Sequence, residues 1–255
     1  MIFDTNVHLT LSDKWSHNKF KFKKNLKKNF KNIFAKNKLK GYACVGISNL
    51  EKYDSRKFIS KFQDKNVYLV PALNPSKNID NQLKLFSEYN CKAIKIHPRS
   101  LGKKLNNINL DKIFYLCNKR NFSVFICTYF NDYPNNFYTS DPKYIFANAY
   151  KKYDNLKILL MHGGCERIME FAELVRFSKN ILLDLSLTIM KYKNSSVDQD
   201  IKFLFQNFDK KITLGSDYPE VDYNEFIKRI KFFSRGLSKD KRDNIYFKNF
   251  LKFIK

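Results

Sequence analysis

Four histidines stand in this chain of 255 residues, and three of them sit beside groups that move protons or hold anions. His8 follows Asn6 at a spacing of two, and Lys95, His97 and Arg99 form a run at the same spacing. His162 precedes two glycines, and Asp217 stands within Ser216-Asp217-Tyr218-Pro219. Imidazole and carboxylate exchange protons near neutral pH, whereas lysine and arginine hold carboxylates. Such an inventory suits acid–base chemistry, provided the segments that carry these residues converge.

Short apolar runs rich in β-branched and aromatic residues recur at 2–8, 42–47, 67–72, 91–97, 122–128, 156–162, 181–186 and 211–215. Several are apolar on both faces, as in Lys157-Ile158-Leu159-Leu160-Met161, which strands covered on both sides require. Between them apolar residues take helical spacing, as in Ile113, Leu116 and Cys117, or Ile168, Phe171, Ala172 and Val175. Strand then helix, repeated along the chain, predicts an α/β fold, a (β/α)8 TIM barrel. A doubly wound open sheet is the alternative, but no glycine-rich phosphate loop follows the first run, which removes the usual nucleotide argument. Residues 222–233 read as the last barrel helix and 238–254 as an extra C-terminal helix, with Ser238-Lys239-Asp240 at its start. No linker, repeat or low-complexity tract divides the chain, so residues 1–255 are expected to form one barrel domain.

In a barrel the reactive groups gather at the carboxyl ends of the strands. Those ends supply Asn6 and His8, then Lys95, His97 and Arg99, Cys127-Thr128, His162, Asp184 with Ser186, and Asp217. Strand alternation puts Lys95 and His97 on one face, so at least one of them looks into the mouth. A lysine there is costly unless a carboxylate of substrate or protein pairs with it. Arg99 either grips a carboxylate in bidentate fashion or stands in solvent. Taken alone, Cys127 reads as a small buried packing residue. Trp15 and His17, in the loop after the first run, are expected to line the pocket as a lid.

Apolar residues make up 44% of the chain and charged residues 28%, which allows a buried core and excludes a disordered tail protein. Lysine and arginine total 48 against 24 acids, a formal net charge of +24. That field attracts nucleic acid, anionic lipid or acidic substrates. The lysine excess comes with abundant Asn, Ile, Phe and Tyr, whose codons are A/T-rich, so genome composition accounts for it without a selected partner. Residues 18–40 carry ten lysines and no acid, with Phe22, Leu26, Phe30, Ile33 and Phe34 at helical spacing. This is read as a basic amphipathic helix whose apolar face covers a strand. No stretch reaches the roughly 20 apolar residues of a membrane span, and Met1-Ile2-Phe3-Asp4 does not begin as a signal peptide does. Five cysteines without a C-x-x-C pair fit reduced thiols. A cytoplasmic protein is expected, with a small anionic substrate as its partner rather than nucleic acid, and a homodimer admitted as an assembly.

End to end, the motifs resemble the amidohydrolase-related (amidohydrolase 2) branch of the metal-dependent hydrolase superfamily. Ile2-Phe3-Asp4-Thr5-Asn6-Val7-His8 is similar to its opening I-D-x-H-x-H, and Ala93-Ile94-Lys95-Ile96-His97-Pro98 to its G-x-K-x-H-P segment. The run 156–164 resembles its sixth strand ending in H-G-G, and Leu214-Gly215-Ser216-Asp217-Tyr218-Pro219 its G-S-D-x-P eighth strand. The tail Asn244-Ile245-Tyr246-Phe247-Lys248-Asn249 is similar to the closing I-x-x-x-N helix.

The resemblance implies a barrel hydrolase acting on the C–N, ester or lactone bond of a small anionic metabolite, with decarboxylation as the alternative reaction. It also implies catalysis by Asp217 and His162, with substrate held by Lys95, His97, Arg99 and Tyr218. The family's usual divalent metal sits on two first-strand histidines, a fifth-strand histidine and the eighth-strand aspartate. Here Asn6 and Cys127 replace two of those histidines. A carboxamide is a weak ligand for such an ion and a thiolate a good one. The expected set is therefore His8, Cys127 and Asp217 around one divalent metal, zinc first, or no metal at all. In the metal-free reading, Lys95 balances the negative charge. A basic barrel that binds nucleic acid without catalysis is the reading from a different class.

Overall fold

The computed structural model describes residues 1–16, 22–47, 53–101, 107–129 and 141–255, and eight parallel strands organise them. These are β1 (Phe3–Val7), β2 (Gly41–Val45), β3 (Val67–Val70), β4 (Ala93–Ile96), β5 (Ser123–Cys127), β6 (Lys157–Met161), β7 (Ile181–Asp184) and β8 (Ile212–Thr213). Each coincides with one of the eight apolar runs. Ladders join β1 to β2 and β3, and β4 through β8 in sequence order.

Two narrower seams close the ring. Ala72 bridges Lys95, with Lys95 N donating to Pro71 O at 2.8 Å and Leu73 N to Lys95 O at 2.9 Å. On the other side Thr5 N donates to Leu214 O at 3.0 Å, Asp217 N to Asn6 O at 2.9 Å and His8 N to Tyr218 O at 2.7 Å. The barrel expectation holds and the open-sheet alternative falls.

Helices follow the strands: α1 (Leu26–Lys36), α2 (Ser55–Phe62), α3 (Ile79–Glu88), α4 (Asn107–Arg120), α5 (Pro142–Lys152), α6 (Ile168–Phe177), α7 (Val197–Asn207) and α8 (Tyr223–Phe233). Side-chain caps start several of them: Asp54 accepts from Lys57 N, Asn78 from Asn81 N, Asp141 from Lys143 N and Asp222 from Glu225 N. Strand alternation divides the core in two. Ile94, Ile96, Val124, Ile126, Ile158 and Leu160 face the helices, while Phe3, Val45, Phe125, Leu159 and Leu182 fill the barrel. Burial on both faces explains why the strands read as continuous apolar runs.

Two expectations are corrected in detail. Of the basic segment 18–40, the described residues are helical only over α1, and before it Lys14–Ser16 pairs antiparallel with Phe22–Lys24. Leu26 and Phe30 of α1 are buried, as the covering role requires. The C-terminal helix begins at Ser238, whose hydroxyl accepts from Lys241 N, but a π-turn at Asn244–Lys248 interrupts it. Its last turn puts Phe250 and Phe253 into the inner cluster and seals one end of the barrel. No helix among the described residues is long and apolar enough to cross a membrane.

Candidate active site

At the carboxyl ends of the strands lies a cavity of about 260 Å³, lined by His8, Lys95, His97, Arg99, His162 and Asp217, with Trp15, Tyr129, Lys191 and Glu220 at its margin. Four strands, β1, β4, β6 and β8, thus deliver their terminal polar groups to one space. His162 and Asp217 both hold positive φ, 67° and 58°, a strained conformation for residues with a side chain. In each case the chain turns sharply where the strand stops, so the side chain is presented at the rim.

Asp217 is the centre of the hydrogen bonding. Its Oδ1 accepts from Asn6 Nδ2 at 2.8 Å and lies 3.2 Å from His8 Nε2. His8 Nδ1 donates to Val45 O at 2.9 Å, so both nitrogens of that ring face acceptors. Burial works against ionisation of Asp217, but the His8 hydrogen bond and the positive charge of His162, His8 and Lys95 outweigh it. The carboxyl is held well below the usual carboxylate range.

His162 Nδ1 lies 3.1 Å from both Ser186 O and Ser186 Oγ. The Ser186 hydroxyl donates to Asp184 Oδ1, and Thr5 donates to Asp184 Oδ2. Asp184 is fully buried, and burial raises its pKa against those hydrogen bonds. Cys127 contacts the imidazoles of both His97 and His162 by hydrogen bonds. Burial alone would push the Cys127 thiol up, yet the two rings bring it well below the ordinary thiol value. Burial likewise opposes a proton on His162, but Cys127 and Asp217 raise its pKa above that of free imidazole. His97 goes the other way, because burial dominates there.

Lys95 is buried at the cavity floor and donates to Met161 Sδ at 2.6 Å. Burial lowers its pKa, while the charges of Cys127, Asp217 and Asp184 favour the ammonium. At the margin the Arg99 guanidinium lies 4.7 Å from the Tyr129 ring centre and Lys191 Nζ 4.1 Å from it. Lys191 also donates to the Tyr129 hydroxyl. Trp15 stacks on His8 at 5.6 Å and donates to Glu220 Oε2 at 2.9 Å, which holds the hairpin over the mouth. The lid expectation is met at Trp15, and His17 lies outside the described residues.

A divalent ion needs three or more donors around one point. Among the described residues no three His, Cys, Asp or Glu side chains form a group that could hold one. His8 and Asp217 meet, but Cys127 packs against His97 and His162, and Asp217 Oδ1 already receives the Asn6 amide. The residues present do not fit the expected ion on His8, Cys127 and Asp217, because the replacement at position 6 turned a ligand into a hydrogen-bond donor.

Tyr218 is also corrected. Its hydroxyl donates to Leu26 O at 3.2 Å and its ring packs 5.0 Å from that of Phe30, so it joins the strand-8 exit to α1 and does not line the cavity. Sequence reasoning missed Tyr129, Lys191 and Glu220. Tyr129 directly follows Cys127-Thr128 and Glu220 follows Pro219, so extending each strand end by two residues would have found both. Lys191 carried no such signal.

The sequence matches the amidohydrolase family over residues 66–253. No curated protein matches it significantly. Among solved structures, a probable 2-pyrone-4,6-dicarboxylic acid hydrolase from Acinetobacter baumannii, with citric acid bound, superposes with a TM-score of 0.71 at 14% identity, covering 99% of this chain and 98% of the other. A putative 2-pyrone-4,6-dicarboxylic acid hydrolase from Pseudomonas putida gives 0.70 at 14% identity over 99% and 97%. An uncharacterized TIM-barrel protein from Bordetella bronchiseptica gives 0.73 at 13% identity over 99% and 98%. At these identities the likeness is one of fold.

Proposed function

Since the chain belongs to the amidohydrolase family, we propose that it hydrolyses an ester, lactone or amide bond of a small carboxylate-bearing metabolite. The observation that carries this reading is the meeting of Asp217 and His162 in one cavity that also holds Lys95 and Arg99. The bound acid is held by these cations, and the 2-pyrone-4,6-dicarboxylic acid hydrolases of the same fold make a cyclic dicarboxylate lactone the first compound to try.

Asp217, ionised throughout the working range, orients a water molecule. A carboxylate of such low basicity takes the proton only as the new C–O bond forms, when the attacking water becomes acidic. His162 keeps Nδ1–H on Ser186, and its imidazolium, favoured by Cys127 and Asp217, stabilises the negative charge that the carbonyl oxygen acquires as the tetrahedral adduct forms. Collapse of the adduct expels the leaving oxygen or nitrogen, which takes up a proton from His162 or Asp217.

Asp217→Asn should lower kcat by at least about 1,000-fold while leaving the melting temperature close to that of the wild type. The assay is hydrolysis of 2-pyrone-4,6-dicarboxylate and of a panel of anionic esters, lactones and amides. Full activity in that variant removes the mechanism, and release of carbon dioxide instead of a hydrolysis product selects the decarboxylase.

A further inference from the structure

Asn6 stands where the family's metal-binding histidine is expected, yet its contacts are those of a bridge. Nδ2 donates to Asp217 Oδ1 at 2.8 Å and to Ser186 Oγ at 3.0 Å, so both amide hydrogens are used. The reverse orientation would set the amide oxygen against the carboxylate, which fixes the assignment. Ser186 gives its own hydrogen to Asp184 Oδ1, so its oxygen is left to accept from Asn6 and from His162 Nδ1. An unbroken chain therefore runs from Asp217 through Asn6 and Ser186 to His162.

We infer that Asn6 is a positioning residue whose amide couples Asp217 to His162, replacing the metal ion as the element that holds the two catalytic groups in register. The inference rests on the roles proposed above for Asp217 and His162. A histidine at position 6 carries at most one hydrogen on each of two diverging ring nitrogens and cannot give two from a single atom, as Asn6 Nδ2 does. The amide can, and it shares Asp217 Oδ1 with His8 Nε2.

Two further observations support a built bridge. Asn6 Oδ1 is buried without a hydrogen-bond partner among the described residues, a cost that packing alone would not retain. The neighbouring chain is cut to fit: a Cβ on Gly215 would lie 2.6 Å from Asn6 Cβ and 2.9 Å from Ser186 Cβ. Only glycine at that position lets β1, β7 and β8 approach closely enough for the amide to span them.

The test uses the full chain purified without chelator. In Asn6→Ala and in the nearly isosteric Asn6→Asp, which lacks the two hydrogens, kcat should fall about 100-fold with KM within about threefold of wild type. Ser186→Ala, at the far end of the bridge, should give the same split. Circular dichroism and melting temperature report whether each variant folds. With nitrogen-15 in its four histidines, Asn6→Ala should move the His162 and His8 resonances together, a readout that needs no substrate. Elemental analysis of the wild type should find well under one equivalent of zinc, manganese or iron. Unchanged kcat in both Asn6 variants, His162 resonances that do not respond, or one bound equivalent of a divalent ion overturns the inference. If the wild type hydrolyses none of the anionic compounds, the proposed function fails, and the resonances and metal content still judge the bridge.

Discussion

At the scale of single residues, the site depends on charges placed where water cannot reach them. Asp4 is a case outside the catalytic pair. Its Oδ1 accepts from Ser216 N at 2.8 Å and Asn6 N at 3.2 Å, so it anchors the backbone beneath Asp217. Burial pushes its pKa from 3.8 up to about 7, although those hydrogen bonds pull the other way. The folded chain thus keeps a proton that the unfolded chain has lost. The stability this contributes is complete below the ordinary carboxyl value and is lost as pH rises through about 7. Asp4→Asn retains the acceptor oxygen and removes the titration. Its melting temperature should gain on the wild type between about pH 4 and about pH 7, and parallel curves for the two proteins would contradict the argument.

At the scale of elements, each catalytic side chain owes its position to a strand end that turns abruptly. The β1 ladder shifts register between Asp4 and Val7, which lets Thr5 reach Asp184 and Asn6 reach Asp217 from neighbouring positions. After β8, Gly215 gives the space that this shift needs. In Gly215→Ala the new methyl would meet Asn6 Cβ, Asp184 Oδ2 and Ser186 Cβ at 2.6, 2.9 and 2.9 Å. Overpacking of this kind costs about 1–3 kcal/mol. Chemical denaturation should show that loss, and activity should fall further than stability alone explains, because the polar chain between Asp217 and His162 is displaced. The exposed basic face of α1 takes no part in this arrangement.

Over the whole molecule, the barrel is filled from one end and active at the other. Phe250 is 1% exposed, and its ring lies 4.7 Å from that of Phe3, 5.8 Å from Tyr68 and 6.0 Å from Phe125. Those partners come from three strands, so the C-terminal helix ties β1, β3 and β5 together below the cavity. Phe250→Ala should cost about 3–5 kcal/mol in equilibrium unfolding. Because the cavity is at the opposite end, KM for any hydrolysed compound should stay near the wild-type value at temperatures where the variant is folded. The single tryptophan, Trp15, lies on the cavity wall, so its fluorescence reports occupation of the site directly.

The sequence by itself determined the eight strands and the helices between them, because burial on both faces leaves a continuous apolar run that no other element demands. It also singled out His8, Lys95, His97, His162 and Asp217, since polar residues that end apolar strands collect at one rim whatever the details of closure. What it left open was which of those side chains touch. Whether Asn6 binds an ion or bridges two acceptors, whether Cys127 faces His8 or His97, and whether Tyr218 points to substrate or to α1 depend on distances between strands far apart in the chain. Those distances are set by a shifted register, two positive-φ turns and one glycine, and only the folded ring fixes them.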